Sequence, residues 1–164
     1  MKSAKSLVLA VALALPLSFT SVGAIAADAA HDGHEVSIDA LELNAGQKWE
    51  TDAPLRQGME KIHGATTKTL EAAHGGKLSV AQYDAYAEDV NTQFTYIVQN
   101  CKLEPQADAQ LHILLGSIMS GIEVARGKEA GHDRELGIVK IAQSMNAYGK
   151  HFDHAGWKTI DVAH

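Results

Sequence analysis

Four stretches of this chain repeat apolar residues every three or four positions, and each is bounded by helix-starting and helix-breaking residues. That spacing places one apolar stripe along a helix, whereas a half-buried strand would alternate at every second residue. The first stripe is Leu55, Met59, Ile62, Thr66 and Leu70. Thr51 and Asp52 supply N-cap candidates before it, Pro54 falls in the first turn where its missing N–H costs nothing, and Gly75-Gly76 ends it. Ser79 caps the second, which carries Tyr83, Ala87, Val90, Phe94, Ile97 and Cys101. Pro105 opens the third, with Asp108, Leu111, Leu115, Ile118, Ile122 and Ala125, and the segment from Gly127 to Gly131 breaks it. Asp133 caps the fourth, which carries Ile138, Ile141, Ala142, Met145, Tyr148 and Phe152 before Gly156.

Four amphipathic segments joined by short loops make sequential helices antiparallel neighbours. The expected fold is therefore all-α, an antiparallel up-down-up-down four-helix bundle over residues 49–164. Val90, Phe94, Ile97, Leu111, Leu115 and Ile118 are expected to be largely buried in it. Residues 27–48 show no helical period. Val36 to Leu43 alternates weakly, but one short strand cannot stand alone. This stretch reads as a flexible or extended N-terminal arm laid on the bundle.

Residues 1–26 have the form of a cleaved signal peptide. Lys2 and Lys5 precede an apolar run from Leu7 to Phe19, and Ala24-Ile25-Ala26 supplies a small-x-small cleavage site. The run is too short for a membrane anchor, and no second span follows. The expected location is the periplasm. Cleavage would remove two lysines and no acid, deepening the net charge from −6 to −8 with His neutral. Such a chain lacks the cationic surface that neutralises phosphates, which argues against nucleic acid as a partner, and it attracts cations instead.

The cysteine count sharpens the functional reading. One Cys forms no intramolecular disulfide, and oxidising compartments consume free thiols. Cys101 is then a packed apolar residue, half of an intermolecular disulfide, or a metal ligand. The bundle topology projects it to one end together with Met59 on the first helix, His112 on the third and His151 on the fourth. Thiolate, imidazole and thioether together are the donor set of copper sites. His63, one turn beyond Met59, is the reserve ligand. Cys and His serve zinc as well, and only the thioether favours copper. His112 and His151 each sit one position off the apolar stripe, where solvated flank residues also occur. His31 and His34 in the arm could scavenge metal loosely or be plain solvated residues. Trp49 and Trp157 are either a lid on this end or ordinary packing.

No catalytic constellation accompanies these donors. The sequence has no Gly-rich phosphate loop, no His-Glu-x-x-His, no Gly-x-Ser-x-Gly and no Cys-x-x-Cys-His. Glu60–His63 supplies a single Glu-x-x-His without the further carboxylates of a di-iron bundle. The reading is a non-enzymatic periplasmic protein binding a transition metal, copper first, in storage, tolerance or electron transfer. Its partners would be the ion and a periplasmic redox or metal-transfer protein. A metal-free structural or partner-binding bundle is the other class.

Two resemblances add to this. Met59 early in the first helix and His151 late in the fourth resemble the axial-ligand positions of the cytochrome b562 type, which implies haem b held by those two residues. Separately, Leu43-Asn-Ala-Gly-Gln-Lys-Trp49, Asp52-Ala-Pro-Leu-Arg-Gln-Gly-Met59, Asn100-Cys101-Lys-Leu and Tyr148-Gly-Lys-His-Phe-Asp-His154 resemble a family of small exported proteobacterial proteins. That family brings no activity to transfer.

Overall fold

A computed structural model describes residues 37–162 of the chain. The signal-peptide segment and the arm residues His31 and His34 lie outside the described residues. Four helices follow one another: α1 (Ala53–His74), α2 (Val80–Asn100), α3 (Pro105–Ala125) and α4 (Arg134–His151). Each packs on its neighbours in sequence, and α1 closes the ring against α4. This is the expected four-helix bundle. No helix among the described residues is long and apolar enough to cross a membrane.

The helix starts follow from their caps. Asp52 accepts from the Leu55 amide ahead of α1, and Ser79 and Gln82 form a capping box at α2. Asp133 caps α4 through the Glu135 amide. The α3 start has no side-chain cap and relies on Pro105, whose fixed φ suits the first turn.

The core is built from the predicted stripes. Leu55, Met59, Ile62, Ile97, Ile118, Ile122, Ile138, Ile141 and Tyr148 are completely buried. Each aliphatic of this kind contributes roughly 1.5–3 kcal/mol by leaving water. Two expectations need correction. Phe94 is only half-buried, packed against the edge of the core. On α3, Ala107 and not Asp108 faces inward. Both differences are small rotations about a helix axis, which periodicity alone does not fix. Among the described residues no buried side-chain nitrogen or oxygen lacks a hydrogen-bond partner.

The α3–α4 seam is tight because small residues line it. The Ser144 hydroxyl donates to that of Ser117 at 2.9 Å. A Cβ on Gly137 would overlap the Ala125 amide nitrogen and the Gly121 carbonyl, both backbone atoms that cannot swing aside.

The arm and the chain beyond α4 finish one end of the bundle. A 3-10 turn, Ile38–Ala40, interrupts the stretch expected to be extended, because the Ser37 hydroxyl caps the Asp39 amide. The arm then lies on α3 through the Glu42 amide, which donates to the Gln110 side chain at 2.8 Å. Trp49 pairs with the end of α4: its amide donates to the His151 carbonyl and its carbonyl accepts from Asp153, each at 2.8 Å. Residues 153–162 fold back as a strap, held by two hydrogen bonds between the Asn146 side chain and the Ile160 backbone.

The seam generates a test. Gly137→Ala should destabilise the protein by about 1–3 kcal/mol through overpacking. Gly64→Ala, where nothing lies within 4 Å of the added carbon, should be neutral or stabilising by up to about 1 kcal/mol through helix propensity. Urea unfolding of both variants measures this, and equal stabilities would contradict the close seam.

Candidate metal-binding end of the bundle

The start of α1, the end of α2, the start of α3 and the end of α4 meet at one end, as the antiparallel order requires. Asp52 organises the junction. One carboxylate oxygen caps α1 at the Leu55 amide (2.8 Å) and the other accepts from the Lys102 amide (2.6 Å). The same carboxylate accepts a hydrogen bond from the Cys101 thiol. A single side chain thus ties the first turn of α1 to the α2–α3 connection.

Cys101 is the C-cap residue of α2 and is half-buried. Burial pushes its thiol pKa up, and the Asp52 and Asp108 carboxylates push it further, to about 12. It is therefore a protonated thiol at neutral pH, and a metal would have to displace that proton. The pKa is raised on folding from an ordinary value of 9.0, so this group favours the folded state below that pH and the contribution is lost as pH climbs toward about 12.

His112 stands on the outer side of α3, with its side chain 71% exposed. Its Nδ1–H donates to the Asp108 carbonyl at 2.8 Å, with the Asp108 carboxylate 3.4 Å away. That partner fixes the tautomer and leaves Nε2 with its lone pair toward solvent. Asp108 thus acts on both Cys101 and His112. His151 repeats the arrangement, with Nδ1–H donating to the Ala147 carbonyl at 2.8 Å.

Met59 is different. It is 0% exposed in the core, beside Gly58, where a Cβ would collide with Ile97. A closed core at that position does not fit haem, since an axial Met needs room for the macrocycle beside its sulfur. His63 lies further along α1 and turns to the strap, where its Nε2–H donates to the Lys158 carbonyl at 2.8 Å. The expected donors thus share an end of the bundle but not a point. Among the described residues no three His, Cys, Asp or Glu side chains converge as a metal centre.

Sequence reasoning missed a buried polar chain at the same end. His154 is 8% exposed, accepts from the Tyr148 hydroxyl at Nδ1 (3.0 Å) and donates from Nε2 to Glu60 (3.1 Å). It sits beyond the α4 C-cap, which is Phe152, so it caps no helix carbonyl. Burial is the largest cause raising the Tyr148 pKa, while the Arg56 guanidinium opposes it. Trp157 packs edge-on against Tyr148 and His63 and donates to the Met145 carbonyl. Trp49 likewise donates, to the Glu42 carbonyl, so both indoles bind backbone. Only the buried Tyr148 of this group lay on a predicted stripe; nothing local in the sequence couples it to Glu60.

Compared with family models, with curated proteins and with solved structures, the chain matches none. The two resemblances drawn above remain expectations of the sequence.

The Cys101 environment is open to direct measurement. Asp52→Asn retains a capping oxygen but removes the negative charge, so the thiol pKa should fall and alkylation at neutral pH should accelerate. In the unsubstituted protein the rate should keep climbing with pH through the ordinary thiol range near 9.0. Identical pH–rate profiles for the two proteins would show that Asp52 does not govern this thiol.

Proposed function

We propose that this protein is a periplasmic copper-binding protein that buffers the ion or hands it on, with Cys101 and His112 as the donors of first choice and His151 as a further imidazole. The observation that carries the reading is the arrangement around Asp108. The Asp108 carboxylate stands 3.4 Å from His112 Nδ1, whose ring keeps Nε2 unused, and the same charge is one of those that raise the pKa of the soft Cys101 thiol. Cu(I) favours such soft and borderline donors. A coordinating thiol releases its proton to solvent as the thiolate binds the metal, and the Asp108 carbonyl accepts the outer-shell hydrogen bond that orients a ligating histidine.

Electron transfer is the weaker of the two roles. A blue-copper centre needs two imidazoles and a thiolate converging in a trigonal set, and the described residues hold no such convergence. Donors that do not converge, with His112 exposed and Cys101 and His151 half-buried, suit capture and release better than a rigid redox centre. The same lack of convergence favours a second reading, a metal-free bundle that binds a partner, in which Cys101 is simply packed. The chain's deficit of positive charge, 14 Lys and Arg against 20 Asp and Glu, accords with cation attraction in the first reading.

Metal that binds the folded state adds to its stability. One equivalent of copper, kept reduced, should raise the Tm of the full chain, and Cys101→Ser and His112→Ala should each remove most of the rise. His151→Ala should reduce it, and Met59→Leu should scarcely change it, since that thioether is closed in the core. His31→Ala and His34→Ala should leave it intact. No rise in any protein supports the metal-free bundle, and a larger rise with zinc than with copper contradicts the choice of metal.

A further inference from the structure

The most developed unassigned site lies between α1 and the strap, where the rings of His63 and His154 flank Trp157. A cleft of about 200 Å³ opens there, lined by Glu60, His63, His154, Trp157 and Lys158. Glu60 and His63 are three residues apart on α1, so their side chains share a face. The partners of these groups decide which atoms remain for a ligand. His63 spends its Nε2–H on the Lys158 carbonyl, which leaves Nδ1 as an unprotonated acceptor. Glu60 spends Oε1 on His154, and no other hydrogen bond or ion pair engages its second oxygen among the described residues. His154 has both nitrogens engaged and cannot ligate. It is a positioning residue that aims the Glu60 carboxylate, much as outer-shell groups aim metal-bound carboxylates.

We infer that Glu60 and His63 form a two-donor site for a divalent first-row cation, Cu2+ above all, with water completing its coordination. Imidazole and carboxylate suit this class, and among its members Cu2+ binds such a pair most tightly. Glu60 is 66% exposed on its side chain, so the cleft is open to the ion. Lys158 is the one lining residue whose side-chain charge opposes a cation. The site stands apart from Cys101 and His112, takes the oxidised ion where that pair takes the reduced one, and needs no thiol.

Trp157 reports on the site, because its ring centroid lies 4.9 Å from that of His63. Cu2+ held there should quench its fluorescence. In titrations of the full chain with Cu2+, His63→Gln should abolish that quenching. Gln can still donate to the Lys158 carbonyl, so the strap is preserved. Glu60→Gln, at an exposed position, should weaken the half-saturating concentration by about tenfold, and His154→Gln by a similar factor through loss of aim. Trp157→Phe should remove the quenched component, which separates it from Trp49. His132→Ala, exposed in the loop at the opposite end of the bundle, should leave the titration unchanged. The Cys101–His112 reading is read from the Tm rise with reduced copper, so failure here is distinct from failure there. Far-ultraviolet circular dichroism checks that each variant is folded. Equal quenching in His63→Gln and the unsubstituted chain, or quenching only at large excess and alike in every variant, overturns the inference.

Discussion

Asp52 is the side chain on which this end of the bundle depends. Its two oxygens face different elements: one satisfies an amide that α1 would otherwise leave unpaired and the other holds the Lys102 amide, while the carboxylate also receives the Cys101 thiol. Loss of an N-cap alone typically costs about 1 kcal/mol. Here it would also unfasten the α2–α3 connection from α1. The arm and the strap are added over this junction, through Trp49 on α4 and through Asn146 on Ile160. The end is therefore assembled from separate stretches of chain, tied together by hydrogen bonds to backbone groups, from the Asp52 and Asn146 side chains and from the Trp49 backbone.

That assembly explains the chemical character of the site. Burial first, and the Asp52 and Asp108 carboxylates after it, keep Cys101 protonated, so it is a poor nucleophile and resists casual oxidation until something displaces its proton. The histidines are oriented by carbonyls one helical turn earlier or by the strap, and each of His63, His112 and His151 keeps one nitrogen in reserve. His154 spends both nitrogens inside the protein and stabilises the closure instead. The same residue type thus divides into outward donors and one internal brace, and the division follows from what stands next to each ring.

Much of the fold was legible because local signals and global packing agree. Asp52, Ser79 and Asp133 are caps by type and by contact, and the stripes on α1 to α4 became the core. Phe94 and Asp108 were misjudged because a stripe gives a face to within a residue, while burial depends on how neighbouring helices are rotated. The site was less legible. The end at which Cys101, His112 and His151 gather followed from topology, but whether they touch depends on angles about each helix that sequence spacing does not carry. The Asp52–Cys101 and Glu60–His154 pairs span the chain, so no local pattern announces them. Met59 lay on an apolar stripe, which favoured core over ligand, and it is completely buried.

The central proposal is that Cys101 and His112 offer copper one sulfur and one imidazole. X-ray absorption at the copper edge of the full chain, loaded with one equivalent of reduced copper, tests it most directly. The account predicts sulfur and imidazole nitrogen together in the first shell, with sulfur absent in Cys101→Ser. A first shell of nitrogen and oxygen alone in the unsubstituted protein would contradict it.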